Sequence, residues 1–150
     1  MRPMKPRGWI DEPLYTKIRE VMPIPCVDLL VTHNNRLLLM LRNNEPGRGV
    51  WFTPGSRILY GETIEETVKR TLTEETGLTP IKIVRKGVMT HFWPETHTVT
   101  VFYRVDVEDD QVKMNEEHSA YKWISEATND LHPFLKRMIE ESKVFKKKYL

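Results

Sequence analysis

The chain of 150 residues has one cysteine, no long apolar run and almost no excess charge of either sign. Cys26 alone excludes an intramolecular disulfide and any zinc site built on several thiolates. No window contains the roughly 20 apolar residues that a membrane span needs. The net charge of +2 gives no reason to expect nucleic acid or a membrane surface as a partner. Any affinity for anions must therefore come from local clusters of charge.

Length and composition predict a single domain with an N-terminal arm. A hydrophobic content of 39% and a charged content of 29% are typical of globular proteins, and a chain of this length buries a self-sufficient core. Prolines surround a short helix predicted within residues 1–25, and we expect this arm to pack on the domain formed by residues 26–150. The basic N-terminus is not followed by an apolar stretch, so we predict no secretory leader and a cytoplasmic location.

Hydrophobic patterning predicts several strands and two or three helices. Two apolar runs on either side of a polar turn predict a hairpin. The predicted strands are 26–32, 36–42, 50–53, 81–90, 96–107 and 121–124, and a C-terminal helix is predicted at 131–149. Elements of both kinds in mixed order favour an α+β fold, with a mixed, curved β-sheet flanked by helices.

A further helix is predicted over residues 64–76, and a tight loop over residues 54–56 precedes it. Thr63 and Glu66 have the spacing of a capping box, and Gly77 is a natural C-terminal stop. Glu75 falls on the apolar stripe of this helix, near its negative end, where a carboxylate is unfavourable without a cation. Two interpretations stay open at this point: an inward carboxylate compensated by a cation, or a side chain in water beyond the sheet.

The spacing of polar and aliphatic residues across residues 55–78 is distinctive. The series consists of Ser56, Glu62, Arg70, Thr71, Leu72, Glu74, Glu75, Gly77 and Leu78. It resembles the box motif of the Nudix hydrolase family, G-x5-E-x7-R-E-U-x-E-E-x-G-U, in which U is aliphatic. Ser56 departs from the motif by replacing a glycine, and Thr71 by replacing a glutamate that normally supplies a metal ligand or a base. The resemblance implies an α/β/α sandwich, a divalent metal at the box and a homodimer.

One branch of this family, the GDP-mannose mannosyl hydrolases, tolerates the loss of that glutamate. The similarity to this branch extends from about residue 26 to residue 123. The residues that it implies for the site are the catalytic His118, Arg42 and Arg57, the substrate contacts Asp28 and His91 beside the same two arginines, and the metal ligands Gly55, Glu75, Glu117 and Glu74. The implied cofactor is Mg2+, with Mn2+ as a substitute.

The residue types suit these implied roles. Two arginines that flank one loop offer planar, cationic groups for a diphosphate. A glycine lets its backbone carbonyl approach a metal, and carboxylates are the hard oxygen donors that Mg2+ prefers. An imidazole that titrates near neutrality is suited to act as a general base.

The function implied by the resemblance is hydrolysis of nucleoside-diphosphate sugars of the GDP-mannose type. Water would attack the anomeric carbon, releasing GDP and the free sugar. Two alternatives stay open: a conventional Nudix pyrophosphohydrolase that releases a nucleoside monophosphate, and a nucleotide-binding module that has lost catalysis. In each case we expect a small nucleotide ligand and neither nucleic acid nor a membrane as a partner.

Overall fold

A computed structural model describes residues 8–145. The elements are α1 (Glu12–Val21), β1 (Ile24–His33), β2 (Arg36–Arg42), β3 (Trp51–Phe52), β4 (Gly55–Arg57), α2 (Ile64–Thr76), β5 (Pro80–Phe92), β6 (His97–Val107), β7 (His118–Ile124) and α3 (Pro133–Ser142). Residues 1–7 of the predicted arm, residues 146–149 of the predicted C-terminal helix and the final residue, 150, lie outside the described residues. Among the described helices, none has the length and apolar character required to cross a membrane.

The strands form one mixed, seven-stranded sheet. Five strands follow the order β3-β2-β1-β6-β5, while β4 pairs with the first half of β1 and β7 pairs with β2. β1 runs parallel to β6 and antiparallel to both β2 and β4. This arrangement confirms the predicted α+β fold, in which helices flank a mixed sheet.

Apolar side chains on the two faces of the sheet form two cores. Val68 and Leu72 of α2 pack on one face, and Leu135 and Met138 of α3 pack on the other. Because both faces are covered, β1 is apolar and buried over most of its length. Asp28 is the acidic exception within this buried strand, which makes it a candidate for a functional role.

Local signals set the ends of α2 and the turn between β1 and β2. The Thr63 hydroxyl accepts a hydrogen bond from the Glu66 N–H at 3.1 Å, and Gly77 has a φ of 66°, so the helix has the predicted bounds. Asn34 and Asn35 have φ values of 49° and 62°. Two residues in the left-handed region match the twist of a tight hairpin, and asparagine tolerates that region better than most residues.

Several predicted segments have different bounds in the structure, and β7, for example, begins at His118 although its strand is predicted at 121–124. The C-terminal helix predicted at 131–149 is shorter, because α3 begins at Pro133 and ends at Ser142. Lys143 follows with a φ of 53°, a helix end that no glycine marks in the sequence. Gly55 and Ser56, predicted as part of a tight loop, form β4 together with Arg57 through backbone pairing with β1.

Candidate active site

A pocket with a volume of about 270 Å³ opens between β1, β4 and the loop after β2, and α1 contributes to its wall. Its charged and aromatic lining residues are Tyr15, Arg19, Asp28, Arg42, Glu45, Phe52, Arg57, His91, Trp93 and Glu117. Six of the site residues predicted from the sequence line this pocket: Asp28, Arg42, Gly55, Arg57, His91 and Glu117. The other three, Glu74, Glu75 and His118, lie outside its lining.

Gly55 lies opposite Asp28 in the pairing of β4 with β1. A Cβ atom at Gly55 would collide with the Asp28 carboxylate and would lie 2.8 Å from the Val27 carbonyl oxygen. Only a residue without a side chain permits this close approach of the two strands. The glycine therefore keeps the Asp28 carboxylate and the β4 backbone together at the wall of the pocket.

Glu75 points inward from α2 and is only 2% exposed, which rules out the interpretation that its side chain lies in water beyond the sheet. Burial is the largest cause that raises the pKa of its carboxyl well above the usual value, and the nearby Glu117 raises it further. Arg42 and a hydrogen bond with the Gly55 backbone act in the opposite direction. Among the described residues, the Glu75 Oε1 atom has no hydrogen-bond partner. A buried anionic oxygen without a partner is costly, and a cation would relieve that cost.

The acidic residues around Glu75 fit a divalent cation only with help from the backbone. Within residues 8–145, no three His, Cys, Asp or Glu side chains form a group that could hold a metal ion. Glu117 lies at the rim of the pocket, where partial burial raises the pKa of its carboxyl. Two carboxylates, together with the backbone at Gly55, supply hard oxygen donors of the kind that Mg2+ or Mn2+ prefers. The unpartnered Glu75 oxygen is the observation that favours such a cation.

Glu74 lies at the edge of this cluster. Its side chain is 57% exposed and accepts a hydrogen bond from Arg70 at 3.3 Å. Its charge still contributes to the raised pKa of Glu117. The geometry therefore favours a peripheral role for Glu74 and a central one for Glu75.

Two histidines are buried beside the site, and each faces one carboxylate. The His118 Nε2 atom lies 3.6 Å from the Glu75 Oε1, and the His91 Nε2 atom lies 3.6 Å from the Asp28 Oδ2. Burial first, and then Arg42, lower the pKa of His118 to about 4, which differs from the titration near neutrality expected from the sequence. His91 lines the pocket and stacks on Phe134 with a centroid separation of 4.7 Å.

The two predicted arginines reach the pocket from different strands. Arg42 follows a bulge at the end of β2, and its Nε donates to the Pro46 carbonyl at 2.6 Å. Arg57 ends β4 and donates from a terminal nitrogen to the Gly8 carbonyl at 2.8 Å. The pocket therefore carries two guanidinium groups held by backbone carbonyls.

Arg70 joins α2 to the loop that precedes it. Its Nε donates to Glu62 at 2.7 Å, and a terminal nitrogen donates to the Arg57 carbonyl at 3.0 Å and to the Ser56 hydroxyl at 3.2 Å. Paired hydrogen bonds between arginine and a carboxylate have a fixed geometry. Arg70 therefore holds both β4 and the loop that contains Glu62 against α2, and neither Arg70 nor Glu62 lines the pocket.

The two departures from the box motif contact each other. The hydroxyls of Ser56 and Thr71 share a hydrogen bond of 3.0 Å, and Thr71 is completely buried. The position of the missing glutamate is thus filled by a neutral, satisfied hydroxyl. As a result, α2 directs only one carboxylate, that of Glu75, inward.

The Glu62–Arg70 pair predicts a specific dependence of stability on pH. Arg70 is the main cause that lowers the pKa of Glu62 to about 2, from an ordinary value of 4.5. Because the folded-state pKa is lowered, the stabilisation is present above the ordinary pKa and is lost as the pH falls toward 2. Glu62→Gln should lower the free energy of unfolding at neutral pH by about 2 kcal/mol. Urea denaturation at a series of pH values measures this.

The difference in the free energy of unfolding between the wild type and Glu62→Gln should become smaller as the pH falls below 4.5. Glu66→Gln, an exposed change on the same helix, is the matched control and should show no such narrowing. A constant difference across the acid range would contradict the electrostatic role assigned to this pair.

Tyr15 and Arg19 of α1 are pocket residues that the sequence did not indicate. They are separated by one helical turn, so they lie on the same face of α1. Only this spacing signals their position, because the sequence says nothing about where α1 docks. Trp93, which follows β5 directly, also lines the pocket.

The family model of the NUDIX domain matches residues 22–143. The chain therefore belongs to the Nudix family and is a Nudix hydrolase, as the box motif predicted.

Relatives with known names are similar over most of their length. The low-salt glycan biosynthesis protein Agl8 of Haloferax volcanii is 30% identical, with 91% of this chain and 92% of that protein covered. The ADP-ribose pyrophosphatase of Methanocaldococcus jannaschii is 29% identical, with 83% of this chain and 72% of that protein covered. The crystal structure of a MutT protein from Methanosarcina mazei Go1 has a TM-score of 0.72 and 26% identity, over 81% of this chain and 94% of that one.

Proposed function

We propose that this Nudix hydrolase cleaves nucleoside-diphosphate sugars of the GDP-mannose type and that water attacks the anomeric carbon. The products are GDP and the free sugar, and the reaction depends on Mg2+. The observation that carries this proposal is the neutral contact between Ser56 and Thr71 at the box. A hydroxyl lacks the negative charge with which a glutamate attracts a divalent metal, and it cannot act as a base for attack at phosphorus near neutral pH. Attack at carbon does not require that glutamate.

Different pocket residues are proposed to bind the diphosphate leaving group and the rest of the substrate. Arg42 and Arg57 bind the diphosphate, because planar guanidinium groups donate paired hydrogen bonds to phosphate oxygens. Asp28 and His91 contact the substrate from β1 and β5. The residues that would hold Mg2+, or Mn2+ in its place, are Gly55, Glu75 and Glu117, with Glu74 at the periphery. Bound there, the ion would supply positive charge that neutralises the departing diphosphate.

The reaction proposed at the sugar is a displacement by water. The oxygen of water forms a bond to the anomeric carbon, and the bond from that carbon to the diphosphate oxygen breaks, so this oxygen leaves with GDP. His118, which lies behind the pocket wall, is assigned the role of accepting the proton of the attacking water, and the Glu75 carboxylate, 3.6 Å from its Nε2 atom, stabilises the positive charge that results. Attack opposite the leaving group predicts inversion at the carbon.

Two features of the comparisons bear on the substrate class. Agl8, which is similar over 91% of this chain, is a protein of glycan biosynthesis, and this supports a sugar substrate. The similarity to an ADP-ribose pyrophosphatase favours a second candidate function, attack at phosphorus in a nucleoside diphosphate derivative. The two functions break different bonds, so their products distinguish them.

Hydrolysis in ¹⁸O-water tests which bond breaks. With GDP-mannose and Mg2+, we expect the label in the free sugar and none in GDP, because the water oxygen ends on carbon. Mass spectrometry of the separated products measures the label. Labelled nucleoside monophosphate or sugar phosphate would instead support the pyrophosphohydrolase, and would overturn attack at carbon.

A panel of nucleotide sugars, with ADP-ribose included, completes this test. Glu75→Gln should incorporate no label with any substrate, and so controls for contaminating activities. If the wild type binds nucleotides but forms no product from any member of the panel, the third possibility, a binding module without catalysis, gains support.

The proposal also includes the domain organisation and a homodimer. Residues 26–150 form the catalytic domain, and residues 1–25 form the arm that packs on it. Several large apolar side chains near α1 are exposed, namely Trp9, Leu14, Val21 and Met22. Exposed apolar groups of this kind favour contact with another chain, and sedimentation equilibrium measures whether that chain is a second copy.

A further inference from the structure

The helix α1 lies against the pocket but buries none of its own residues completely. Two of its side chains line the pocket, those of Arg19 and of Tyr15, and the Tyr15 side chain is half-buried. The guanidinium carbon of Arg19 lies 5.2 Å from the centroid of this ring, and that of Arg57 lies 5.3 Å from it. One aromatic ring thus holds two cationic groups at the wall of the same pocket.

Arg19 is incompletely satisfied in this position. One of its terminal nitrogens lies 3.4 Å from the Thr16 hydroxyl and 3.6 Å from the Glu12 carboxylate, which is 76% exposed. Within the described part of the chain, its buried Nε has no hydrogen-bond partner. A buried donor without a partner is unfavourable, and two cations on one ring repel each other. An anion bound in the pocket that both arginines line would offset their repulsion and offer an acceptor to the Arg19 guanidinium.

We propose that Arg19 is a third diphosphate-binding arginine and that Tyr15 is the positioning residue that aligns Arg19 with Arg57. The ligand class is a nucleoside diphosphate, either as the leaving half of the substrate or as the product. The inference rests on the proposed function, because it assigns this ligand to this pocket. It adds that the N-terminal helix is part of the binding site.

The geometry explains why the ring matters. Arg57 donates to the Gly8 carbonyl and contacts the Tyr15 face, so segments on both sides of the start of α1 orient its side chain. A guanidinium held against an aromatic ring keeps its planar group available for phosphate oxygens. Removal of the ring therefore affects both arginines, although Tyr15 itself need not touch the phosphates.

Titration calorimetry of the full chain with GDP and with guanosine tests the assignment. Arg19→Gln should weaken the binding of GDP by about tenfold or more, because a charge-assisted hydrogen bond to phosphate is lost. Binding of guanosine, which has no phosphate, should stay unchanged. Lys17→Gln is the matched control, since it removes the same charge from an exposed position on α1 and should leave both affinities unchanged.

Variants of Tyr15 test the positioning role. Tyr15→Leu should weaken GDP binding, while Tyr15→Phe, which keeps the aromatic ring, should bind GDP with the wild-type affinity. In a double-mutant cycle, the effects of Tyr15→Leu and Arg57→Gln should be less than additive, because both remove the same guanidinium contact. Thermal unfolding of each variant reports whether the fold is retained.

The outcomes separate this inference from the proposed function. If Arg42→Gln and Arg57→Gln weaken GDP binding but Arg19→Gln does not, the assignment of Arg19 to diphosphate binding is wrong, while the assignment of the pocket to GDP stands. If Arg19→Gln weakens GDP and guanosine equally, its role is to support the helix, and the inference is overturned. If the wild type binds no GDP, the proposed function itself fails.

Discussion

Replacing Glu75 with glutamine is expected to reduce the affinity for Mg2+ and to stop most of the turnover. Loss of a residue that merely supports a metal ligand costs roughly 10–100-fold in affinity, so loss of a direct ligand should cost at least that. The neutral amide no longer supplies the buried negative charge that attracts a hard cation. Titration calorimetry with Mg2+, and with Mn2+ as a probe, measures the change.

The fold of Glu75→Gln should survive and become more stable without metal. In the wild type, burial raises the pKa of this carboxyl, so its ionised form is unfavourable when no cation is present. The amide removes that cost without opening a cavity. Mg2+ should therefore raise the melting temperature of the wild type and leave that of the variant nearly unchanged.

Glu66→Gln is the matched control for this prediction, because it makes the same chemical change on the exposed side of the same helix. It should leave the affinity for Mg2+ and the effect of Mg2+ on melting unchanged. If Glu75→Gln kept wild-type metal affinity, the metal site drawn around Gly55, Glu75 and Glu117 would be wrong.

The parts of the fold that depend on local signals could be predicted from the sequence. The bounds of α2 follow from a side chain that caps its first turn and from a glycine at its end. The hairpin of β1 and β2 follows from two apolar runs and a turn of asparagines. These features need only residues that are close together in the chain.

The parts that depend on distant contacts could not be predicted. β4 has the composition of a turn, and it is a strand only because residues 26–28 of β1 pair with it. The parallel pairing of β1 with β6 joins segments about seventy residues apart, from Ile24 opposite Thr98 to Thr32 opposite Asp106. Early termination of α3 at Lys143 has no local marker either.

The candidate site follows the same division. Residues within or beside the box motif, such as Gly55 and Arg57, could be identified from their spacing, and the structure brings them together with Asp28 and His91. The position of α1 could not be identified, because docking of an amphipathic helix is set by the surface that it meets. The contact between Ser56 and Thr71 is also invisible in the sequence, where the two appear as separate departures from the motif.

The two buried histidine–carboxylate pairs raise the question of which imidazole takes the proton. His118 faces Glu75 behind the pocket, whereas His91 faces Asp28 on its wall, and each Nε2-to-oxygen distance is 3.6 Å. Both ring nitrogens of each histidine lack hydrogen-bond partners among residues 8–145. The proposed mechanism assigns the base to His118 and substrate contact to His91. The same substitution at both positions compares two equally buried groups.

His118→Gln is expected to lower kcat by roughly 10²–10⁴-fold, the usual cost of a lost general base. His91→Gln should mainly raise KM, because it removes a contact that the substrate makes before and during the reaction. Steady-state kinetics with GDP-mannose at saturating Mg2+ measures both, and titration with GDP and Mg2+ checks that His118→Gln keeps the binding steps. His118→Gln removes the base but leaves Arg42 and Arg57 to bind the diphosphate, so the residual products should still be GDP and free sugar. If kcat instead fell in His91→Gln alone, the general base would be His91 on the pocket wall, with Asp28 orienting its ring.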